Sequence, residues 1–180
     1  MNQSAQPWHV LVRLEDVPET GLHLDLTADA QVRSGLARLA GAMDMPRLEA
    51  ALDIVRHGNG LRATGRVSAS VGQICVITLE PLQNEVDEAI DVIFAPAASD
   101  SAAVERAAEE VADDALDGAE PPEVLADGAA DVGAVAAEFL LLGIDPYPRK
   151  PGAAFTPPEE QRVGAVSPFA ALEKLRNGKN

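Results

Sequence analysis

The chain has 180 residues, enough for one domain or one domain with an appended segment, and too few for a multidomain machine. With 14 Lys and Arg against 29 Asp and Glu, its formal charge of −15 opposes non-specific attraction to nucleic acid or to an anionic membrane and favours a basic protein partner. Hydrophobic residues make up 47% of the chain but aromatics only 3%, so alanine swells the apolar count and the core has to rest on Val, Ile and Leu.

Met1 to Pro7 has neither a basic region nor an apolar run, so no secretory signal is expected, and no stretch reaches the ~18 consecutive apolar residues of a membrane span. Trp8, Val10, Val12 and Leu14 alternate with His9, Leu11 and Arg13, and Leu22, Leu24 and Leu26 alternate with His23 and Asp25. Both patterns predict strands. Thr27 reads as an N-cap with Asp29 in the first turn of a helix. Val32, Leu36, Leu39, Ala40 and Met43 share one face of that helix, which ends between Gly41 and Pro46.

From Leu48 to Ile54 alternation returns and predicts a strand, although the Ala and Leu content also suits a short helix. Gly58-Asn59-Gly60 supplies residues that tolerate positive φ and predicts a tight hairpin. Next, Leu61, Ala63, Gly65, Val67, Ala69 and Val71 face one way, and Arg62, Thr64, Arg66, Ser68 and Ser70 the other. Ile74 to Leu79 is nearly continuous apolar sequence and predicts a strand covered on both sides. A turn around Pro81 to Asn84 then returns the chain through Val86, Ile90, Val92 and Phe94.

Ser99 to Asp131 holds one arginine and 11 carboxylates, with scarcely a bulky apolar residue, and therefore reads as a flexible acidic linker. Asp131 then caps a helix in which Val132, Val135, Ala136, Phe139 and Leu142 recur, ended by Gly143 and docked back on the sheet. Asp145-Pro146-Tyr147-Pro148 forces an extended exit. Near the C-terminus Phe169, Leu172 and Leu175 recur at three-residue spacing beside Lys174 and Arg176, a short amphipathic helix on a flexible tether. It docks on a partner, folds back on its own domain, or frays.

The expected fold class is α+β: an antiparallel β-meander packed against one or two helices, with an acidic disordered linker and a flexible C-terminal tail. Residues 1–98 form the β-rich core, 99–130 the linker, 131–148 the docking helix, and 149–180 the mobile tail.

Catalytic motifs are absent from the sequence: no phosphate-cradling Gly-rich loop, no paired-His zinc helix, no nucleophile elbow. His9, His23 and His57 are dispersed and read as surface residues. Glu85, Asp87, Glu88 and Asp91 read as a solvated strand face. Cys75, the single cysteine, can form no intramolecular disulfide and no zinc site by itself. It reads as a buried thiol in a reducing, cytoplasmic setting. No cofactor or metal is expected. Arg62 and Arg66, with Thr64, Ser68 and Ser70 and flanked by Arg56 and His57, form the one strand face with positive charge. Such a face either holds RNA phosphates or pairs with acidic neighbours.

Three segments, in order, resemble the YceD-like large ribosomal RNA subunit accumulation proteins. The first runs from Cys75-Val-Ile-Thr-Leu79-Glu-Pro81-Leu82 through Val86 to Asp91-Val-Ile-Phe-Ala-Pro96. The second runs from Asp131 through Glu138 and Leu140-Leu141-Leu142 to Pro146-Tyr147-Pro148, after an acidic linker. The third is Ser167-Pro168-Phe169-Ala-Ala-Leu172-Glu-Lys174-Leu175-Arg176. Many relatives carry a Cys-x-x-Cys pair where this chain has Cys75 and Thr78, so a zinc or redox role does not carry over. The resemblance implies a non-enzymatic ribosome biogenesis factor, bacterial and cytoplasmic, supporting synthesis, processing or stability of large-subunit ribosomal RNA. Its implied partners are ribosomal RNA or the pre-ribosomal large subunit. The alternatives are an acidic adaptor or chaperone for a basic ribosomal protein, which the charge favours, and an RNA-processing hydrolase.

Overall fold

The computed structural model describes residues 8–96 and 122–155. In chain order they form β1 (Leu11–Arg13), β2 (Leu22–Thr27), α1 (Ala30–Leu39), β3 (Asp44–His57), β4 (Gly60–Ile74), β5 (Pro81–Pro96), β6 (Glu123–Leu125), β7 (Ala129–Asp131) and α2 (Val132–Gly143). A single 3-10 turn, Leu14–Asp16, follows β1 where the sequence predicted a continuous strand to Leu14.

Alternation of apolar and polar side chains over β3, β4 and β5 gives each strand one dry face. Leu48, Ala50, Leu52 and Ile54 of β3, Leu61, Ala63, Val67, Ala69 and Val71 of β4, and Val86, Ile90 and Phe94 of β5 are buried on that face. The main sheet has the order β2-β3-β4-β5-β6, antiparallel except for the parallel β5–β6 pair, and β1 pairs with β7 in a separate two-stranded ribbon. The α+β class and the meander through β2, β3, β4 and β5 therefore hold. The expected hairpin joins β3 to β4, with Gly58 at φ +53°. Gly60 is required for a second reason, because a side chain there would run into the Phe94 carbonyl on β5.

Both helices cover the dry face. The α1 helix packs on β3 through Leu36 and Ala37. Its N-cap is Asp29, whose carboxylate accepts from the Val32 N–H at 2.8 Å, rather than Thr27, which ends β2. Leu39 and Met43, placed by sequence on the buried stripe, are about half exposed, because the helix rolls Ala37 into the core instead. The α2 helix packs on β4 and β5 through Val132, Val135, Ala136, Ala137 and Leu140. Leu142, expected in that stripe, is 77% exposed, and Leu140 takes the core position. Asp131 caps α2 as predicted, accepting from the Ala134 N–H at 3.1 Å. It also accepts from the Val10 N–H at 3.0 Å and so ties the N-terminal segment to the helix start.

Three further expectations change. The apolar run after Ile74 is a turn, because the Cys75 N–H donates to the Glu80 carbonyl at 2.9 Å and Leu79 adopts φ +59°. The return strand β5 therefore begins at Pro81, where the sequence predicted the bend. Glu88 points to the helix side of β5, opposite Glu85, Asp87 and Asp91. Gly143 makes room for it, since a Cβ there would strike the Glu88 side chain. Finally, the stretch read as linker does not extend to residue 130. Val124 and Leu125 give β6 its apolar side chains, and Asp127 (φ +51°) and Gly128 (φ +75°) turn the chain into β7. The remainder of the linker and the tail expected beyond Phe155 lie outside the described residues.

Leu140→Ala removes a fully buried side chain between α2 and the sheet and is expected to lower unfolding free energy by about 2–5 kcal/mol. Leu142→Ala, two residues on and on the opposite side of the helix, should leave the unfolding free energy within about 0.5 kcal/mol of the parent. Equal losses in urea unfolding would show that α2 docks by a different face.

Candidate functional site

The face of the sheet away from the helices is uncovered among the described residues, and strand register decides what it presents. Across it run His23, Asp53, Thr64 and Asp91 in one row, Thr27, Glu49, Ser68 and Asp87 in a second, and Arg47, Ser70 and Glu85 in a third. Arg66 stands between Ala51 and Ala89, and Arg62 between Val55 and Ile93. Alanines flanking Arg66 leave a shallow depression of about 490 Å³ bounded by Asp25, Thr27, Glu49 and Asp87.

Arg62 and Arg66, the two predicted contact residues on the strands, do lie on this one face. Each is engaged by a carboxylate of β5. Arg62 makes a two-pronged pair with Asp91, at 2.8 Å from Nε and 2.7 Å from Nη2, and Arg66 Nε meets Asp87 at 2.8 Å. Arg47, which sequence reasoning left out of the site, reaches Glu85 at 2.7 Å, Glu49 at 3.3 Å and the Ser68 hydroxyl at 2.8 Å. Its signal was its outward parity in β3, two residues before Glu49. The pairs hold charge in place. Arg66 is pushed above the ordinary guanidinium value by Asp87, and Arg47 chiefly by Glu85. Asp87 and Asp91 are pulled below the usual carboxylate range by Arg66 and Arg62, and Glu85 by the Ser70 hydroxyl and Arg47. Six carboxylates (Asp25, Glu49, Asp53, Glu85, Asp87, Asp91) share the face with three arginines, so it stays net acidic.

His23 bridges Asp53 at 2.7 Å and Asp25 at 3.4 Å, a pairing that dispersed histidines in the sequence did not reveal. Arg56, predicted to flank the basic face, instead donates from Nε to the Val17 carbonyl at 2.7 Å, and His57 is exposed at the hairpin. Phe169, Leu172, Lys174, Leu175 and Arg176, together with Pro168, lie outside the described residues.

At the end of the sheet the first two signature segments meet. The Cys75 Sγ accepts from the N–H groups of Thr78 and Lys150, each at 3.4 Å, and the Val76 N–H donates to the Pro148 carbonyl at 2.9 Å. Gln73 Nε2 donates to the Asp145 carbonyl at 2.8 Å, and Asn84 Nδ2 donates to Gln73 Oε1 at 2.8 Å. Leu79 and Pro81 shape this turn. Pro146 lies beside Ile74 and Val76, and Glu138 is exposed on α2. The Thr78 side chain occupies the second position of the Cys-x-x-Cys spacing and bonds to Cys75. Together with the Lys150 and Thr78 N–H groups it lowers the thiol to about 6, against the opposing effect of burial. Among the described residues no group of three or more His, Cys, Asp or Glu side chains is placed to hold a metal ion, and no helix is long and apolar enough to cross a membrane.

The described residues thus define an α+β protein with one helix-covered face and one open, acidic, arginine-laced face. Residues 63–176 match the model of the family described as large ribosomal RNA subunit accumulation protein YceD, and the chain belongs to that family. The match runs from within β4 past the end of the described residues and takes in all three segments that carry the resemblance. Among curated proteins and among solved structures, nothing matches the chain.

Two titrations follow from this geometry. Asp53 and Asp25 raise the His23 pKa above 6.5, so its ion pairs stabilise the fold fully below the unfolded value and cease to do so as pH rises through the folded one. NMR titration should place His23 above an exposed histidine, and Asp53→Asn should bring it down. For Cys75 the folded value is depressed, so its contribution is present above the unfolded pKa of about 8.5 and is lost as pH falls through about 6. Thiolate absorbance of this single cysteine should titrate near 6, and Thr78→Val should shift the midpoint upward.

Proposed function

We propose that the protein supports accumulation of large-subunit ribosomal RNA without catalysing a reaction, acting as an acidic adaptor that receives a basic ribosomal or assembly protein. The family name carries the first half of this reading. One observation carries the second: among the described residues each of the three arginines on the open sheet face, Arg47, Arg62 and Arg66, is engaged by a carboxylate of β5, and the face's six carboxylates outnumber them. A phosphate backbone is bound with a gain in affinity when cations offered by the protein displace its condensed counterions into solution. Here Arg47, Arg62 and Arg66 would first have to leave their partners, and the surplus carboxylates would repel the strand. A basic polypeptide meets the opposite situation.

Direct RNA contact through Arg62 and Arg66, with the C-terminal Lys174 and Arg176, is the competing mode. The apolar Phe169, Leu172 and Leu175 serve in the adaptor mode as a second anchor on the same partner. Depletion of the protein in its host should lower the ratio of large-subunit to small-subunit ribosomal RNA. The full chain should restore the ratio. So should an Arg62→Ala/Arg66→Ala double variant, while a chain ending before Ser167 should not. An unchanged ratio on depletion overturns the functional reading. Failure of the folded double variant to rescue overturns the adaptor mode in favour of RNA contact. Metal-dependent RNA cleavage by the pure protein, abolished by one carboxylate substitution, would make it a hydrolase.

A further inference from the structure

A strand inside a sheet has neighbours on both sides, whereas β5 has two only at its C-terminal end. It pairs with β4 from Pro81 to Phe94, but β6 covers only Phe94–Pro96. From Pro81 to Ile93 its other edge has no strand beside it among the described residues, leaving a row of backbone N–H and C=O groups along that side. The register with β4 is continuous over this length, so no bulge twists the edge away, and the one proline stands at the first position. What marks the edge is charge. Glu85, Asp87 and Asp91 project from the open face and Glu88 from the other, and β5 contains no lysine or arginine.

We propose that this free edge of β5 is a strand-addition site for a basic extended segment of a partner protein. The proposal rests on the acidic-adaptor reading and gives that reading a place and a geometry. A second copy of the chain does not fit the edge, because pairing β5 with β5 sets like charges opposite one another. Among the described residues the chain's own acidic segment meets this edge only through Glu123–Leu125 of β6, beside Phe94–Pro96, and its 11 carboxylates between Ser99 and Asp131 disfavour pairing beside Glu85, Asp87 and Asp91. An incoming strand with lysine or arginine at alternate positions sets its cations across from Glu85, Asp87 and Asp91. On their opposite side these carboxylates already meet Arg47, Arg66 and Arg62. The incoming cations thus continue a ladder that β3 and β4 have begun. Main-chain hydrogen bonds supply affinity and the charge row supplies selection.

The test uses the full chain and three synthetic peptides: one alternating lysine and threonine, the same peptide N-methylated at alternate backbone amides, and one with glutamate for lysine. Affinity is measured by titration calorimetry, and binding is mapped by amide hydrogen exchange. The lysine peptide should bind and raise protection of alternate amides between Pro81 and Ile93. N-methylation should weaken binding by about tenfold, the loss of one or two backbone hydrogen bonds, and the glutamate peptide should not bind. Equal affinity of the N-methylated peptide, or protection appearing on β2 instead, overturns the edge site and leaves a basic partner held by charge alone. Equal affinity of the glutamate peptide overturns the charge selection. No affinity for the lysine peptide overturns the edge site and the adaptor reading together.

Discussion

Three strands of 14 to 16 residues, with their buried apolar side chains on alternate positions, can have one dry face and no more. Everything else in the molecule answers to that restriction. Helices α1 and α2, the β1–β7 ribbon and Trp8 all contribute to the single core on one side of the sheet. The other side is left to water and must carry polar groups that do not repel one another. Placing Arg62 and Arg66 diagonally from Asp91 and Asp87 of the next strand, and Arg47 across β4 from Glu85, meets that need, and exposed pairs of this kind add little to stability. Their role is one of arrangement more than of stability. They set which charges are already satisfied and which remain for a partner.

The closure at the end of β4 is built differently. There the Cys75–Glu80 turn, the chain leaving α2 and the side chains of Gln73 and Asn84 satisfy each other's backbone and amide groups. The cysteine acts in this arrangement as an acceptor of N–H groups, which is a structural use of sulfur that needs no second thiol. Thr78 keeps the turn's local bonding to Cys75, and the Lys150 and Val76 N–H groups join the turn to the chain leaving α2.

The sequence made the strands legible wherever alternation was strict, and β4 with its Gly58-Asn59-Gly60 hairpin was the plainest case. The cap at Asp131 was legible because a carboxylate preceding an apolar helical stripe has few other uses. The turn at Cys75 was not, since Cys75-Val76-Ile77 and Leu79 are all residues of strand interiors. Its shape comes from contacts with Pro148 and Lys150, some seventy positions away. Glu88 was assigned to the wet face by composition, against the period-two rule that places it opposite Asp87, and the missing side chain of Gly143 is the tertiary detail that admits it. At the candidate site the arginines were visible, but their partners were not. A pattern of outward parity names a face, while only strand register states which carboxylate stands beside which guanidinium.

The parallel pairing of β5 and β6 has a consequence for the connection between them. Pro96 and Leu125 are register partners, about one strand spacing, or 5 Å, apart. The chain leaves the sheet at Pro96 and re-enters it at Glu123, the partner of Phe94, so the two ends of the connection lie one strand apart and only two residues out of register. Closing such a loop costs free energy only as the logarithm of its length, roughly 0.6 kcal/mol for each doubling. The fold is thus nearly indifferent to how many residues the excursion contains. A change in the number of residues between Pro96 and Glu123 is accordingly expected to leave the pairing of β5 with β6 in place.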